Sequence, residues 1–160
     1  MGDNILLFDR NCVRTPMQWN NSLNGGFSDA DPARLYNPVI EGCAGVETVN
    51  VASQLADPDS LLRTLAWMIK MRKTHRAFGR GSFAWAEVEN RAIAAYWRML
   101  DGECLLILNN LSATAQVAEV RLADDQPRAY IGLLSGKKVN AENGVLNVAL
   151  EPYQFLWLQG

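Results

Sequence analysis

The sequence predicts a mostly β chain: an antiparallel β-sandwich over residues 82–160, preceded by one amphipathic helix and a long loop segment. Three observations carry this. Short apolar stretches, some alternating with a period of two, follow one another through 82–159 and are parted by Asp101-Gly102, Asp124–Pro127, Ser135-Gly136 and Glu142–Gly144. Leu61, Leu62, Leu65, Met68, Ile69 and Arg72 recur at helical spacing. Residues 1–56 are crowded with Gly, Asn, Pro, Ser and Asp, and no periodic pattern persists there.

In chain order, Asn20-Asn21-Ser22, Asn24-Gly25-Gly26, Asp29–Pro32 and Asn37-Pro38 mark turns. Gly tolerates positive φ and Pro fixes φ. An irregular stretch of this length in a compact domain implies functional loops or a segment wrapped over something larger. The helix is predicted at about 58–76, with Asp57 as N-cap, Pro58 at the first helical position and Asp59 beside the positive helix end. Arg72, Lys73, His75 and Arg76 suit its negative end, and Gly79 and Gly81 stop it. The predicted strands are Ser82–Glu87, Arg91–Leu100, Cys104–Asn109, Gln116–Leu122, Arg128–Leu134, Gly136–Val139, Val145–Leu150 and Gln154–Leu158. Asp101-Gly102 is a two-residue hairpin signal. The near-continuous apolar run Cys104–Leu108 fits a strand buried on both faces.

Composition narrows the chemistry. His75 is the single histidine, so a multi-histidine metal site is ruled out and no metal or cofactor is expected. Cys12, Cys43 and Cys104 form an odd, widely spaced set that fits neither a disulfide framework nor a zinc site, and points to a reducing, cytoplasmic setting. The start, with Asp3 and no long apolar centre, does not read as a secretory signal. No apolar run is long enough to span a membrane. Residues 59–80 hold six Lys/Arg and one acid, net +5, which leaves −7 for the rest of a chain of net charge −2. The acidic remainder and the lack of interleaved aromatics make this a solvated face rather than a nucleic-acid surface.

The run Val13-Arg14-Thr15-Pro16-Met17-Gln18-Trp19, followed by Asn24-Gly25-Gly26-Phe27-Ser28, resembles a motif of α-glucosidase-like enzymes of the α-amylase superfamily, family 13 glycoside hydrolases. Within them the likeness is greatest to the trehalose synthases, which interconvert maltose and trehalose. Asp9-Arg10-Asn11, Asp29–Tyr36, Val49-Asn50-Val51, Asp57–Leu62 and Ala77–Ser82 support it. Asn109–Ser112 and Pro152-Tyr153 resemble the family's C-terminal sandwich. The resemblance implies a (β/α)8 barrel followed by a β-sandwich, with three catalytic carboxylates on barrel strands that precede the matching part. Residues 1–81 would then be the barrel's last loop and last helix, and 82–160 a Greek-key sandwich. A barrel needs ~250 residues, so no catalytic residue is assigned here and the chain alone is expected to be inactive. Cys12 stands where relatives usually carry Gly, which implies strain if φ is positive there.

Among single residues, Arg14 is the candidate substrate-binding group. The resemblance puts its loop beside the sugar pocket, and a guanidinium donates to hydroxyls in a forked geometry. Its competing role is to clamp the loop. Trp19 and Phe27 are candidates for stacking on sugar rings, or for pinning the loop to a core. Asp29 and Asp31 read as turn formers. His75 reads as a helix-end residue without a catalytic partner. Trp85, Trp97, Tyr130, Tyr153, Phe155 and Trp157 offer either core or sugar-binding surface, and Phe155 and Trp157 share one face. Without a barrel, the Leu61–Ile69 face forgoes ~1.5–3 kcal/mol for each large side chain left wet, so a homo-oligomer through that face is expected. The alternative function is a stand-alone carbohydrate-binding or protein-interaction module.

Overall fold

The computed structural model describes residues 14–160, and the expectation for Cys12 lies outside the described residues. The chain divides into two compact units, the first ending at Ala66 and the second running Trp67–Gly160.

In the first unit the turn-rich composition becomes short 3₁₀ turns, Leu23–Gly26, Pro32–Arg34 and Gly42–Ala44, and one short helix, α1 (Val51–Ala56). Asn24, Gly25 and Gly26 hold φ of 53°, 67° and 69° in succession. That left-handed run is accessible only to Gly and, at modest cost, Asn. The helix α1 corrects the reading of 1–56 as continuous loop. Six residues are too few to show a period, and its signal is the cap: Asn50 Oδ1 accepts from Ser53 N at 2.8 Å.

Helix α2 (Leu61–Thr74) begins later than the Asp-Pro-Asp signal suggests. Asp57 Oδ1 accepts from the N–H of Asp59 and closes a local turn. The cap is Ser60, whose Oγ accepts from Arg63 N at 3.2 Å and donates to the Gln54 carbonyl at 2.6 Å. Gln54 Oε1 takes the next orphan donor, Leu62 N, at 3.0 Å. At the other end Gly79 does not stop α2. It lies inside a further turn of helix, α3 (Ala77–Arg80).

The second unit carries eight strands among the described residues. These are β1 (Ser82–Trp85), β2 (Ile93–Leu100), β3 (Glu103–Asn110), β4 (Gln116–Arg121), β5 (Ala129–Gly132), β6 (Lys138–Asn140), β7 (Val145–Leu150) and β8 (Phe155–Gln159). Six form one sheet in the order β1-β2-β3-β8-β5-β6, and β4 and β7 form a second, with antiparallel pairing throughout. The expected sandwich is therefore present. The chain passes between sheets at β3–β4, β4–β5, β6–β7 and β7–β8, so β8 returns to lie between β3 and β5. The β2–β3 hairpin turns on Asp101 and Gly102, with φ 50° and 86°, as a two-residue turn of positive φ requires.

The core between the sheets joins Ala95, Trp97, Leu106 and Leu158 of one sheet to Val120 and Leu146 of the other. A smaller cluster on the outer face of the large sheet packs Ala77, Leu105 and Ile107 with Phe78, Tyr96 and Trp157. Because β3 feeds both clusters, Cys104–Leu108 is buried throughout. The strand aromatics separate accordingly. Trp97 and Tyr130 are core; Trp157 stacks on Phe78 at 4.6 Å on the outer face. Tyr153 is not in a strand but in the β7–β8 turn, with φ 56°.

Tyr130 is fully buried, and its hydroxyl finds no partner among the described residues. Burial pushes its pKa well up, and nearby Cys104 adds to this against a smaller opposing effect of Arg128. A folded-state pKa above the unfolded value means that the stabilisation is complete below about pH 10 and is lost as pH rises beyond it. Tyr130→Phe should remove that alkaline loss and leave neutral-pH stability within about 1 kcal/mol or slightly raised. Urea unfolding at neutral pH and near pH 11 checks this; equal alkaline losses in both proteins would contradict it.

Candidate functional site

The Arg14–Phe27 segment is held in place by side-chain amides that bond to distant backbone. Gln18 Nε2 donates to the Ala44 carbonyl at 3.1 Å and also to that of Val49. The Gln18 and Trp19 carbonyls accept from Val51 N and Ala52 N at 3.0 and 2.9 Å, so the loop is tied to the first turn of α1. Asn24 is buried, and its Nδ2 donates to the Ser28 and Ala30 carbonyls at 2.8 and 2.7 Å. An irregular backbone needs this kind of substitute for ladder bonds.

Within that frame, Asn37 Nδ2 donates to the Arg14 carbonyl at 3.2 Å. The Arg14 side chain is exposed, and no ion pair engages it among the described residues. Thr15, Pro16, Phe27, Leu35, Tyr36 and Asn37 line a cavity of about 200 Å³. The Asn37 Oδ1 is buried without a hydrogen-bond partner among the described residues. Thus the neighbours of Arg14 and one of the two stacking candidates, Phe27, share a cavity. Trp19 does not line it and is half-exposed. Asn37 is a residue that sequence reasoning treated only as a turn former; the Asn37-Pro38 pair carried no signal of its link to Arg14.

Asp31 Oδ1 accepts from Ala33 N at 3.0 Å and caps the Pro32–Arg34 turn. The glutamates that share a cavity, Glu87, Glu89 and Glu119, line a cleft of about 680 Å³ on the sandwich, where Glu89 pairs with Arg121 at 3.2 Å. An exposed ion pair of that kind contributes little. No cluster of three metal-binding side chains occurs among the described residues. His75 is part of a structural clamp: Glu103 Oε1 lies 2.6 Å from its Nδ1, and Glu103 Oε2 accepts from Ala77 N at 2.9 Å. No helix among the described residues is long and apolar enough to cross a membrane.

Residues 3–81 match the family model of the α-amylase catalytic domain, and residues 83–157 that of the maltogenic amylase C-terminal domain. The chain is 41% identical over 141 residues to a trehalose synthase of Pimelobacter sp. (strain R48), a match covering 85% of this chain and 25% of that protein. It is 38% identical over 157 residues to the trehalose synthase of Thermus thermophilus, covering 97% of this chain and 16% of that protein. Among solved structures it is similar to the trehalulose synthase MutB of Pseudomonas mesoacidophila MX-45, with a TM-score of 0.69 and 26% identity over 94% of this chain and 26% of that one. The chain therefore spans about a quarter or less of the length of these relatives. With both segments matched in order, the chain belongs to the α-amylase superfamily and corresponds to part of a trehalose-synthase-like enzyme.

Proposed function

We propose that this chain supplies the rear wall of the sugar pocket of an enzyme that interconverts maltose and trehalose by retaining glucosyl transfer. Residues 1–81 serve as the barrel's last loop and last helix, and 82–160 as the sandwich that covers the barrel. The observation that carries this reading is the Arg14 loop. Its backbone is fixed by Asn37, its side chain is left exposed, and an apolar ring (Phe27) and the polar residues Thr15 and Asn37 line the adjoining cavity. Donors, acceptors and an apolar wall are what a sugar ring needs. Arg14 donates to sugar hydroxyls, while Phe27 and, outside this cavity, Trp19 offer apolar faces.

Retaining transfer also needs two carboxyl groups ~5–5.5 Å apart. In this reading the acid and the nucleophile come from other parts of such an enzyme. Incubation of the full 160-residue chain with maltose should therefore give no trehalose above a heat-treated control. Nuclear magnetic resonance titration with maltose should shift Phe27 and Tyr36 signals in the wild type but not in Arg14→Ala. Turnover, or shifts confined to the sandwich, would overturn the reading.

A second reading, a sugar-binding sandwich module, has one observation in its favour. Phe83 and Trp85 stand exposed on β1, at 51% and 68%, with ring centroids 5.2 Å apart. Retention on an amylose resin that Trp85→Ala abolishes would support it, and no retention would remove it. Leu61, Leu65 and Ile69 of α2 are likewise exposed. That face is the basis for proposing self-association, and a concentration-independent monomer mass in light scattering would refute it. Cys43 and Cys104 are both free thiols, which favours a cytoplasmic setting.

A further inference from the structure

The end of α2 and the short α3 gather cations around one concavity. Arg72, Lys73, Arg76 and Arg80, with Gly79, line a cavity of about 360 Å³. None of the four has an ion pair among the described residues. Elsewhere in the second unit Arg121 pairs with Glu89 and Arg128 with Asp124. The carboxylate that reaches this segment, Glu103, is engaged by His75 and the Ala77 N–H. Arg98 donates through Nε to the Ala77 carbonyl at 3.1 Å.

The helix dipole accounts for part of this. Arg72 and Lys73 lie in the last turn of α2, where cations are favoured. Arg76 lies two residues beyond that helix and Arg80 in the last turn of the four-residue α3, so the dipole acts more weakly on them and does not by itself explain four cations sharing one concavity. Like charges held together oppose folding rather than assist it, while a concave arrangement of one sign focuses potential and attracts a counter-ion. At Gly79 a Cβ would meet nothing within 4 Å, so the space beside that residue is open.

We propose that this cavity binds a small phosphate-bearing molecule. Three guanidinium groups offer planar donor pairs that match phosphate oxygens, and Lys73 adds a mobile point charge. The volume lies in the range of small-ligand sites, ~300–1,000 Å³, and favours a compact ligand over a flat protein surface. The site is separate from the Arg14 cavity and does not depend on the sugar-transfer reading.

The test is calorimetric titration of the full chain at low salt with inorganic pyrophosphate, with glucose 1-phosphate and with an oligoglutamate peptide. Pyrophosphate should bind at a single saturable site, more weakly as salt is raised. The double substitution Arg76→Gln with Arg80→Gln should weaken binding about tenfold or more. The surface control Lys137→Gln with Lys138→Gln should leave binding unchanged. Because all four lining cations are exposed, the fold should survive substitution. Should the double variant unfold, Arg80→Gln alone and resonance shifts in the wild type confined to 72–80 decide the matter. No saturable binding at millimolar pyrophosphate would overturn the proposal. So would equal losses in the control variant, or binding of oligoglutamate in preference to both phosphates.

Discussion

Asn110→Ala should destabilise the sandwich by about 4 kcal/mol, a large share of the ~5–15 kcal/mol available to a domain. Asn110 is 2% exposed. Its Nδ2 donates to the carbonyls of Thr114 and Glu151 at 2.8 and 2.9 Å, and lies 3.4 Å from that of Leu150. Its Oδ1 accepts from the N–H and the hydroxyl of Ser112 at 3.0 and 2.8 Å. Alanine removes every one of these and leaves several backbone groups unpaired, at about 1–3 kcal/mol for each group that water cannot reach. The knot also sets the β7–β8 turn. Asn110 N donates to the Gln154 carbonyl and Tyr153 N to that of Ser112, which supports Tyr153 in its left-handed conformation. The expected result is a lower urea midpoint at nearly unchanged slope, as for a stability change without loss of compactness. A loss below about 1 kcal/mol would show that the Asn110 bonds are individually replaceable.

That knot shows where sequence reasoning stops. The pair Asn109-Asn110 resembles the family's sandwich, but nothing in the local pattern says which Asn turns inward. The register decides. Asn110 continues the core-facing row of Cys104, Leu106 and Leu108, whereas Asn109 lies on the other face. Most strands were legible because an alternating or continuous apolar run stands between turn signals. Ile93, Ala95 and Trp97 alternate into the core, and Asp101-Gly102 demands positive φ. Helix α1 was not legible, since its cap Asn50 is one of many Asn residues in a turn-rich segment. The Ser60 cap was hidden for a different reason. Asp57-Pro58 is a better sequence signal, but only in three dimensions does Ser60 meet the Gln54 carbonyl and the Gln54 side chain meet Leu62 N. The same holds at the candidate site. Arg14 and Phe27 stand out in the motif, while Asn37, which fixes the Arg14 backbone from 23 residues away, does not.

Glu103→Ala should cost about 3 kcal/mol, because one carboxylate satisfies two groups that alanine would strand. A carboxylate only accepts, so the Glu103 Oε1 contact requires the hydrogen of the His75 ring on Nδ1. The second oxygen takes the orphan N–H of Ala77, at the start of α3. Arg98 closes the arrangement from β2 by donating to the Ala77 carbonyl. The side chains of His75 and Glu103 are 14% and 20% exposed, so solvent screens this pair only partly. Glu103→Gln keeps one acceptor and should lose about half as much. A double-mutant cycle with His75→Ala should return a coupling of about 1–2 kcal/mol; additive losses would mean that the carboxylate serves Ala77 alone. The position gives the clamp its consequence. The segment matched by the catalytic-domain model ends at residue 81 and the C-terminal-domain match begins at 83. Glu103 belongs to the second match and His75 and Ala77 to the first. The clamp therefore fixes the direction in which the chain leaves the sandwich, and loosening it should broaden the resonances of 75–81 before the core strands respond.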